Sequence, residues 1–244
     1  MNKLDALRSK YREIFRRLAD VYGFPTWRQA LPPVDELVCT ILSQNTSDLN
    51  RDKAFDALKT RYPTWEQVRD APLGDLIYTI RMAGLSNTKG PAIQRVLNEI
   101  SLERGSITLD FLADMEINEA KAWLTHFNGV GPKTAAIVLL FAFNRPAFPV
   151  DTHVHRVTQR LGLIGPKVSR EQAHEILEAI IPPEEYYQAH LNLIQHGRMV
   201  CKAPTPLCER CPLTDICDYY QTVTISGKDS SGTRSRSRKG KRDD

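Results

Sequence analysis

The sequence predicts an all-α protein with short connections. Three observations carry this. Apolar residues recur at helical spacing through most of the chain. Proline and glycine punctuate those runs at Pro32-Pro33, Pro63, Pro72, Gly90-Pro91, Gly131-Pro132, Pro149, Gly165-Pro166 and Pro182-Pro183. No stretch alternates convincingly as a half-buried strand would.

The elements follow in order. Residues 2–22 place Leu4, Leu7, Tyr11, Ile14, Phe15, Leu18 and Val21 on one stripe. Similar patterns predict helices over about 33–46, 48–61, 87–104, 132–143, 151–161, 169–181 and 184–200. Ser226 to Asp244 is rich in Ser, Gly, Arg and Lys and is read as unable to bury enough surface to offset its ordering entropy. Residues 222–244 are therefore expected to form a disordered basic tail, either solubilising or a loose electrostatic tether.

Composition limits the possible functions. With 41% apolar and 25% charged residues in 244, the chain has an ordinary soluble composition and enough length for one or two domains. No apolar run approaches the roughly 18 residues of a membrane span. The start, Met1 to Leu7, lacks the apolar core of a signal peptide. A cytoplasmic location is expected, associated with the nucleoid if the partner is DNA. The net charge of +4 is matched by residues 222–244 alone, which hold seven basic and three acidic residues. The body is close to neutral, so a nucleic-acid site must rest on local features.

One such feature is Leu124 to Ala136. Helix, tight Gly129-Val130-Gly131 turn and helix follow one another, with Pro132 suited to the first helical position. Both glycines are expected to adopt backbone angles closed to other residues. The turn would present backbone N–H groups beside the positive end of a helix, a site for a phosphate that needs no cluster of basic side chains. An ordinary helix–helix connection has the same pattern. Lys133 falls in the first turn, where the helix dipole disfavours a cation and lowers the pKa of an amine, as a nucleophile requires. Contact with a phosphate is the other role for such a lysine.

Asp151 precedes the next periodic run and is placed to cap it. Chain length also lets it reach Lys133. The helix from Pro132 to Phe143 is about 18 Å long, and the seven residues 144–150 can span at most about 23–25 Å. A carboxylate beside a lysine in a cleft makes a base-and-nucleophile pair. His153 and His155 are two apart, which does not put them on one helical face, so a metal site there is not expected.

Four of the five cysteines fall in Cys201-x6-Cys208-x2-Cys211-x5-Cys217, a metal-binding pattern rather than a disulfide framework. Four thiolates in one compact loop suit a [4Fe–4S] cluster or zinc. Cys39, inside an apolar run, is expected to be a small buried hydrophobe.

Together these segments resemble the endonuclease III family of helix-hairpin-helix Gly/Pro-Asp DNA glycosylases. The matching residues are Gly129 to Ala135, Val150 to His153, and His196-Gly197-Arg198 running into the cysteine loop. Leu42 to Asp48 and Gly84 to Lys89 match more weakly. The resemblance covers roughly residues 1–221 and favours iron–sulfur over zinc.

It implies a six-helix barrel domain over 26–145, with the hairpin motif at about 117–143, and an iron–sulfur domain from 1–25 and 146–221. It implies a monomer that flips a nucleotide out of lesion-bearing or mismatched double-stranded DNA. Lys133 would attack the sugar, with Asp151 assisting, and the resulting Schiff base would permit strand nicking. Asn45 and Leu85 would fill the gap, and Gly129, Val130, Gly131, Thr134, His153 and Lys202 would contact DNA. The implied function is base excision repair, with oxidised pyrimidine as the expected substrate. Family members usually carry Gln at position 45, and Gln44 to Asp48 looks closer to plant 5-methylcytosine glycosylases. A mismatch glycosylase for uracil or thymine opposite guanine, a modified-cytosine glycosylase and a non-enzymatic DNA-binding module are the alternatives.

Overall fold

The structure, a computed structural model, describes residues 2–229. Among them there is no strand. Twelve α-helices run in order: α1 (Lys3–Tyr22), α2 (Pro33–Leu42), α3 (Asp48–Arg61), α4 (Trp65–Asp70), α5 (Leu73–Thr79), α6 (Ser86–Arg104), α7 (Ile117–Thr125), α8 (Pro132–Ile137), α9 (Thr152–Arg160), α10 (Arg170–Ile180), α11 (Tyr186–Met199) and α12 (Asp218–Asp229). This is the all-helical fold that the sequence predicts.

Local chemistry sets several of the starts. Asn2, Ser47 and Asp151 cap α1, α3 and α9 by accepting a backbone N–H, and Thr64 and Ser169 form capping boxes with Gln67 and Gln172. Two apolar clusters then collect the helices. One gathers side chains of α2–α8, among them Leu37, Ile41, Leu58, Leu76, Val96, Leu124 and Phe127. The other gathers α1 with α9–α11 and the C-terminal loop, among them Tyr11, Ile14, Leu18, Val154, Leu177, Leu193 and Leu213. Burial of such side chains supplies about 1.5–3 kcal/mol each before entropy is counted.

The structure departs from the sequence reading in five places. The helix expected over 33–46 stops at Leu42; Ser43 turns its hydroxyl onto the Thr40 carbonyl at 2.7 Å, and residues 43–46 form a loop. The helix expected over 132–143 widens after Ile137 into a π-helical turn, Val138–Ala142. There Trp27 Nε1 donates to the Leu140 carbonyl at 2.8 Å. Residues 65–79, to which no element was assigned, form α4 and α5. Residues 222–229, expected to be disordered, continue α12, with the Thr222 hydroxyl bonded to the Asp218 carbonyl. The rest of the expected basic tail lies outside the described residues. Finally, Gly131 has φ −90° and ψ 177°, an extended conformation open to any residue; of the two turn glycines only Gly129, at φ 102°, is left-handed.

Candidate active site and cysteine loop

A cleft of about 810 Å³ opens where the two clusters meet. Helix α2 contributes Glu36, Cys39 and Thr40, and the loop after it contributes Gln44 and Asn45. The hairpin contributes Gly131, Pro132, Lys133 and Thr134. Asp151, His153, His174 and His190 line it as well.

The hairpin turn is built by anchoring its apolar residues. Phe127 and Val130 are buried, and the Val130 N–H bonds the Phe127 carbonyl at 3.0 Å. Gly131 then caps α8, which puts Lys133 in its first turn. Lys133 is half-buried. Burial pushes its pKa below the usual lysine range; Asp151 opposes this, Arg51 adds to it, and Glu36 and Asp48 oppose it. The direction agrees with the sequence argument, but the physical cause is desolvation.

Asp151 is the N-cap of α9, its Oδ1 accepting the Val154 N–H at 2.7 Å. The capping bond fixes the carboxylate on the cleft wall. Two histidines, His190 buried and His174 half-buried, support the chain that delivers it. His174 Nδ1 donates to the Phe148 carbonyl at 2.9 Å, and His190 Nδ1 donates to the Pro149 carbonyl at 3.0 Å. Burial lowers the pKa of both, so both are neutral imidazoles at pH 7.

Glu36, His174 and His190 were not singled out from the sequence. The histidines sit in helices remote along the chain and carry no local signal. Glu36 had one: it is an acid inside the apolar run of α2. Its burial raises its pKa, and Thr40 Oγ1 donates to it at 3.4 Å.

The remaining candidates divide. Asn45 is exposed on the cleft and has φ 52°. His153 lines the cleft and accepts from Arg156 at 3.1 Å through Nδ1. A Cβ on Gly197 would come within 2.9 Å of the His153 Cβ, so α11 approaches α9 closely only because residue 197 has no side chain. Leu85 is exposed, with φ 50°, and does not line the cleft. Lys202 is exposed in the cysteine loop, also outside the cleft, and its carbonyl accepts from Arg160 at 2.8 Å. Thr134 lines the cleft but is itself buried.

Cys201, Cys208, Cys211 and Cys217 line one enclosed cavity together with Arg160, His196 and apolar side chains. The four are free thiols. Arg160 Nη1 donates to Cys201 Sγ at 3.4 Å, and Cys217 Sγ donates to the Arg160 carbonyl at 3.4 Å. Burial raises the pKa of Cys208, of Cys211 to about 11, and of Cys217. Thiols held neutral in this way need a metal cation to become ligands. Among the described residues no three His, Cys, Asp or Glu side chains stand as close as a single ion requires. Cys39 is remote from this cavity, and burial pushes its thiol up to about 12. His155 Nε2 donates to the Val168 carbonyl at 2.8 Å.

An all-helical fold, a helix–turn–helix with a left-handed glycine, and a lysine and a carboxylate lining one cleft define a class of DNA-processing protein. Residues 38–183 match the HhH-GPD superfamily of base excision DNA repair proteins, and the chain belongs to that superfamily and, within it, to the endonuclease III family. It is 34% identical over 186 residues to endonuclease III of Sulfolobus acidocaldarius, covering 75% of this chain and 81% of that one. It is 34% identical over 194 residues to a putative DNA glycosylase of Arabidopsis thaliana, covering 76% of this chain and 66% of that protein's length. A trapped endonuclease III–DNA covalent intermediate has the same fold, with a TM-score of 0.76, 30% identity and coverage of 89% of this chain and 98% of that one. The protein is therefore a base excision repair DNA glycosylase, an enzyme rather than a binding module.

Proposed function

We propose that the enzyme is a bifunctional glycosylase and abasic-site lyase that removes oxidised pyrimidines from double-stranded DNA. The observation that carries this reading is Lys133, half-buried with its pKa pushed down, in one cleft with Asp151. A duplex hides the bond to be broken, so the nucleotide is rotated out at a cost of a few kcal/mol. Exposed Asn45 and Leu85 fill the gap. The backbone N–H groups of Gly129, Val130, Gly131 and Thr134 hold a phosphate, and His153 and Lys202 extend the contact with DNA.

The neutral Lys133 amine gives its lone pair to C1′ of the sugar, and the base departs with the electrons of the glycosidic bond and, relayed by Asp151, the proton that the amine loses. Asp151 takes the proton released from the amine or stabilises positive charge on the sugar. The ring-opened Schiff base makes the C2′ proton acidic. Its loss expels the 3′ phosphate and nicks the strand.

The four thiols of the cysteine loop fit a [4Fe–4S] cluster. They line one cavity, and Arg160 Nη1 donates to Cys201 Sγ there. Cys201, Cys208, Cys211 and Cys217 would hold such a cluster, which would cross-link the end of α11 to the C-terminal segment. The two apolar clusters support a division into a barrel domain, 26–145, and a cluster domain of 1–25 with 146–221, although Leu140 and Ala147 cross that boundary. The reading also holds the protein to be a monomer of the cytoplasm or nucleoid.

Asn45 favours a second reading for substrate alone. Where it replaces the Gln usual in this family, the shorter side chain fills less of the gap, which suits uracil or thymine opposite guanine, or a modified cytosine. Borohydride trapping tests the lyase chemistry. Wild type forms a covalent adduct with abasic duplex and Lys133→Gln forms none; base release that survives Lys133→Gln identifies a monofunctional enzyme. Duplexes with thymine glycol, uracil, thymine opposite guanine or 5-methylcytosine decide the substrate.

A further inference from the structure

Lys89 is a lysine where a core residue is expected. It lies in the first turns of α6, is 3% exposed, and has no carboxylate partner among the described residues. Its ammonium instead donates to two backbone carbonyls, Leu42 at 2.7 Å and Ala83 at 2.8 Å. Burying an ammonium is costly, and an apolar side chain of the same length would avoid the cost. What the lysine provides is geometry.

Its two acceptors sit at the feet of two loops. Leu42 ends α2, and its carbonyl is at the negative end of that helix. Three residues later stands Asn45. Ala83 ends the short 3₁₀ turn Arg81–Ala83, and two residues later stands Leu85. Among the described residues, only three other than glycine have positive φ, and Asn45 and Leu85 are two of them. Leu85 is 57% exposed, an apolar side chain held outward in a left-handed conformation that leucine disfavours. Such conformations persist where the surroundings over-determine them. Lys89 contributes here through its backbone as well, its N–H bonding the Leu85 carbonyl at 2.9 Å.

We propose that Lys89 is a positioning residue for base flipping: by holding the Leu42 and Ala83 carbonyls on one nitrogen, it joins the Asn45 loop and the Leu85 loop into a single rigid wedge that enters the duplex as a unit. The proposal rests on the reading above, in which Asn45 and Leu85 occupy the gap. Without the strut each loop is ordered separately against DNA, and that entropy is lost at the moment the base leaves the stack. A site already without a base requires no unstacking.

The test compares wild type with Lys89→Met on two duplexes, one with the lesion the enzyme cleaves and one with an abasic site. 2-Aminopurine opposite the lesion reports the unstacking. Lys89→Met is expected to release the lesion base about tenfold more slowly and to lose the fluorescence rise, while trapping on the abasic duplex stays within about twofold, as expected for the loss of a charged hydrogen-bonding pair from the wedge alone. Equal losses on both duplexes, or no loss on either, overturn the proposal.

A second measurement keeps it open to refutation should Lys89→Met not fold. The surface variants Asn45→Ala and Leu85→Ala, singly and together, are expected to be non-additive, the double losing less than the product of the two single losses. Additive losses overturn the single wedge. Wild type that neither cleaves nor unstacks defeats the underlying reading, whereas an active wild type with an unchanged Lys89→Met defeats the strut alone.

Discussion

Gln44 Nε2 donates to the carbonyl of Gly129 at 3.1 Å, so the loop carrying Asn45 is tied directly to the hairpin turn. The two segments are 85 residues apart in sequence. The bond aligns the proposed gap-filling side chain with the proposed phosphate site. Gln44→Leu removes the donor and is expected to weaken duplex binding roughly fivefold, the size of a single net hydrogen bond. Fluorescence anisotropy at fixed salt measures it, and an unchanged Kd would show that the two segments act independently.

Imine formation requires the neutral amine of Lys133. With a pKa below the ordinary lysine range, the trapping rate on abasic duplex should rise with pH and level off earlier than for an exposed lysine. Arg51 lowers this pKa, so Arg51→Gln moves the profile to higher pH. Glu36 raises it, so Glu36→Gln moves the profile to lower pH. Shifts in the opposite sense would remove both residues from the electrostatics of the site.

Asn45 holds a left-handed conformation that Asn tolerates better than Gln. Asn45→Gln is expected to cost about 1 kcal/mol of stability. Asn45→Gly keeps the backbone relaxed and should leave stability within about 0.5 kcal/mol while slowing base release from duplex. Urea unfolding and single-turnover base release separate the two effects.

The contact of Gly197 with His153 leaves no room for a methyl group. Gly197→Ala is expected to destabilise the protein by about 1–3 kcal/mol through displacement of α9 against α11. A matching fall in activity should follow, because α9 begins at Asp151. Chemical denaturation checks the first effect, and a variant as stable as wild type contradicts the packing argument.

Purified protein is expected to be brown and to contain iron and sulfide, whereas a four-thiolate zinc site is colourless. Cys208→Ala, or removal of the iron, should lower the unfolding midpoint while the helical content of the first apolar cluster persists. Elemental analysis and circular dichroism report the two. Stoichiometric zinc without iron would sink the cluster assignment.

The long helices were legible because several turns of apolar periodicity and a capping residue point the same way, as in α1 with Asn2 and α3 with Ser47. Helices α4 and α5 were missed because six or seven residues give under two turns of pattern, although Thr64-x-x-Gln67 marked the start of one. The π turn after Ile137 leaves no mark on apolar spacing over so short a run. Lys133 and Asp151 were readable because each stands beside a local signal, a Gly-Pro helix start and a helix cap. Glu36, Arg51, His174 and His190 arrive at the cleft from remote helices, and only three-dimensional packing brings them to it.

Helix α1 packs in the same apolar cluster as α9–α11, and the ion pairs Lys10–Asp218 and Arg17–Asp215 fasten it to α12 and the cysteine loop. A ribosome delivers these partners about two hundred residues apart in sequence, at a rate of roughly 5–20 residues per second. The first cluster is complete once Ala147 has emerged, while α1 still lacks most of its core. Helix α1 is therefore made before its partners and docks late. A nascent chain stalled just after Ala147 would carry a finished hairpin but a stripe of uncovered apolar residues along α1, the state most in need of a chaperone.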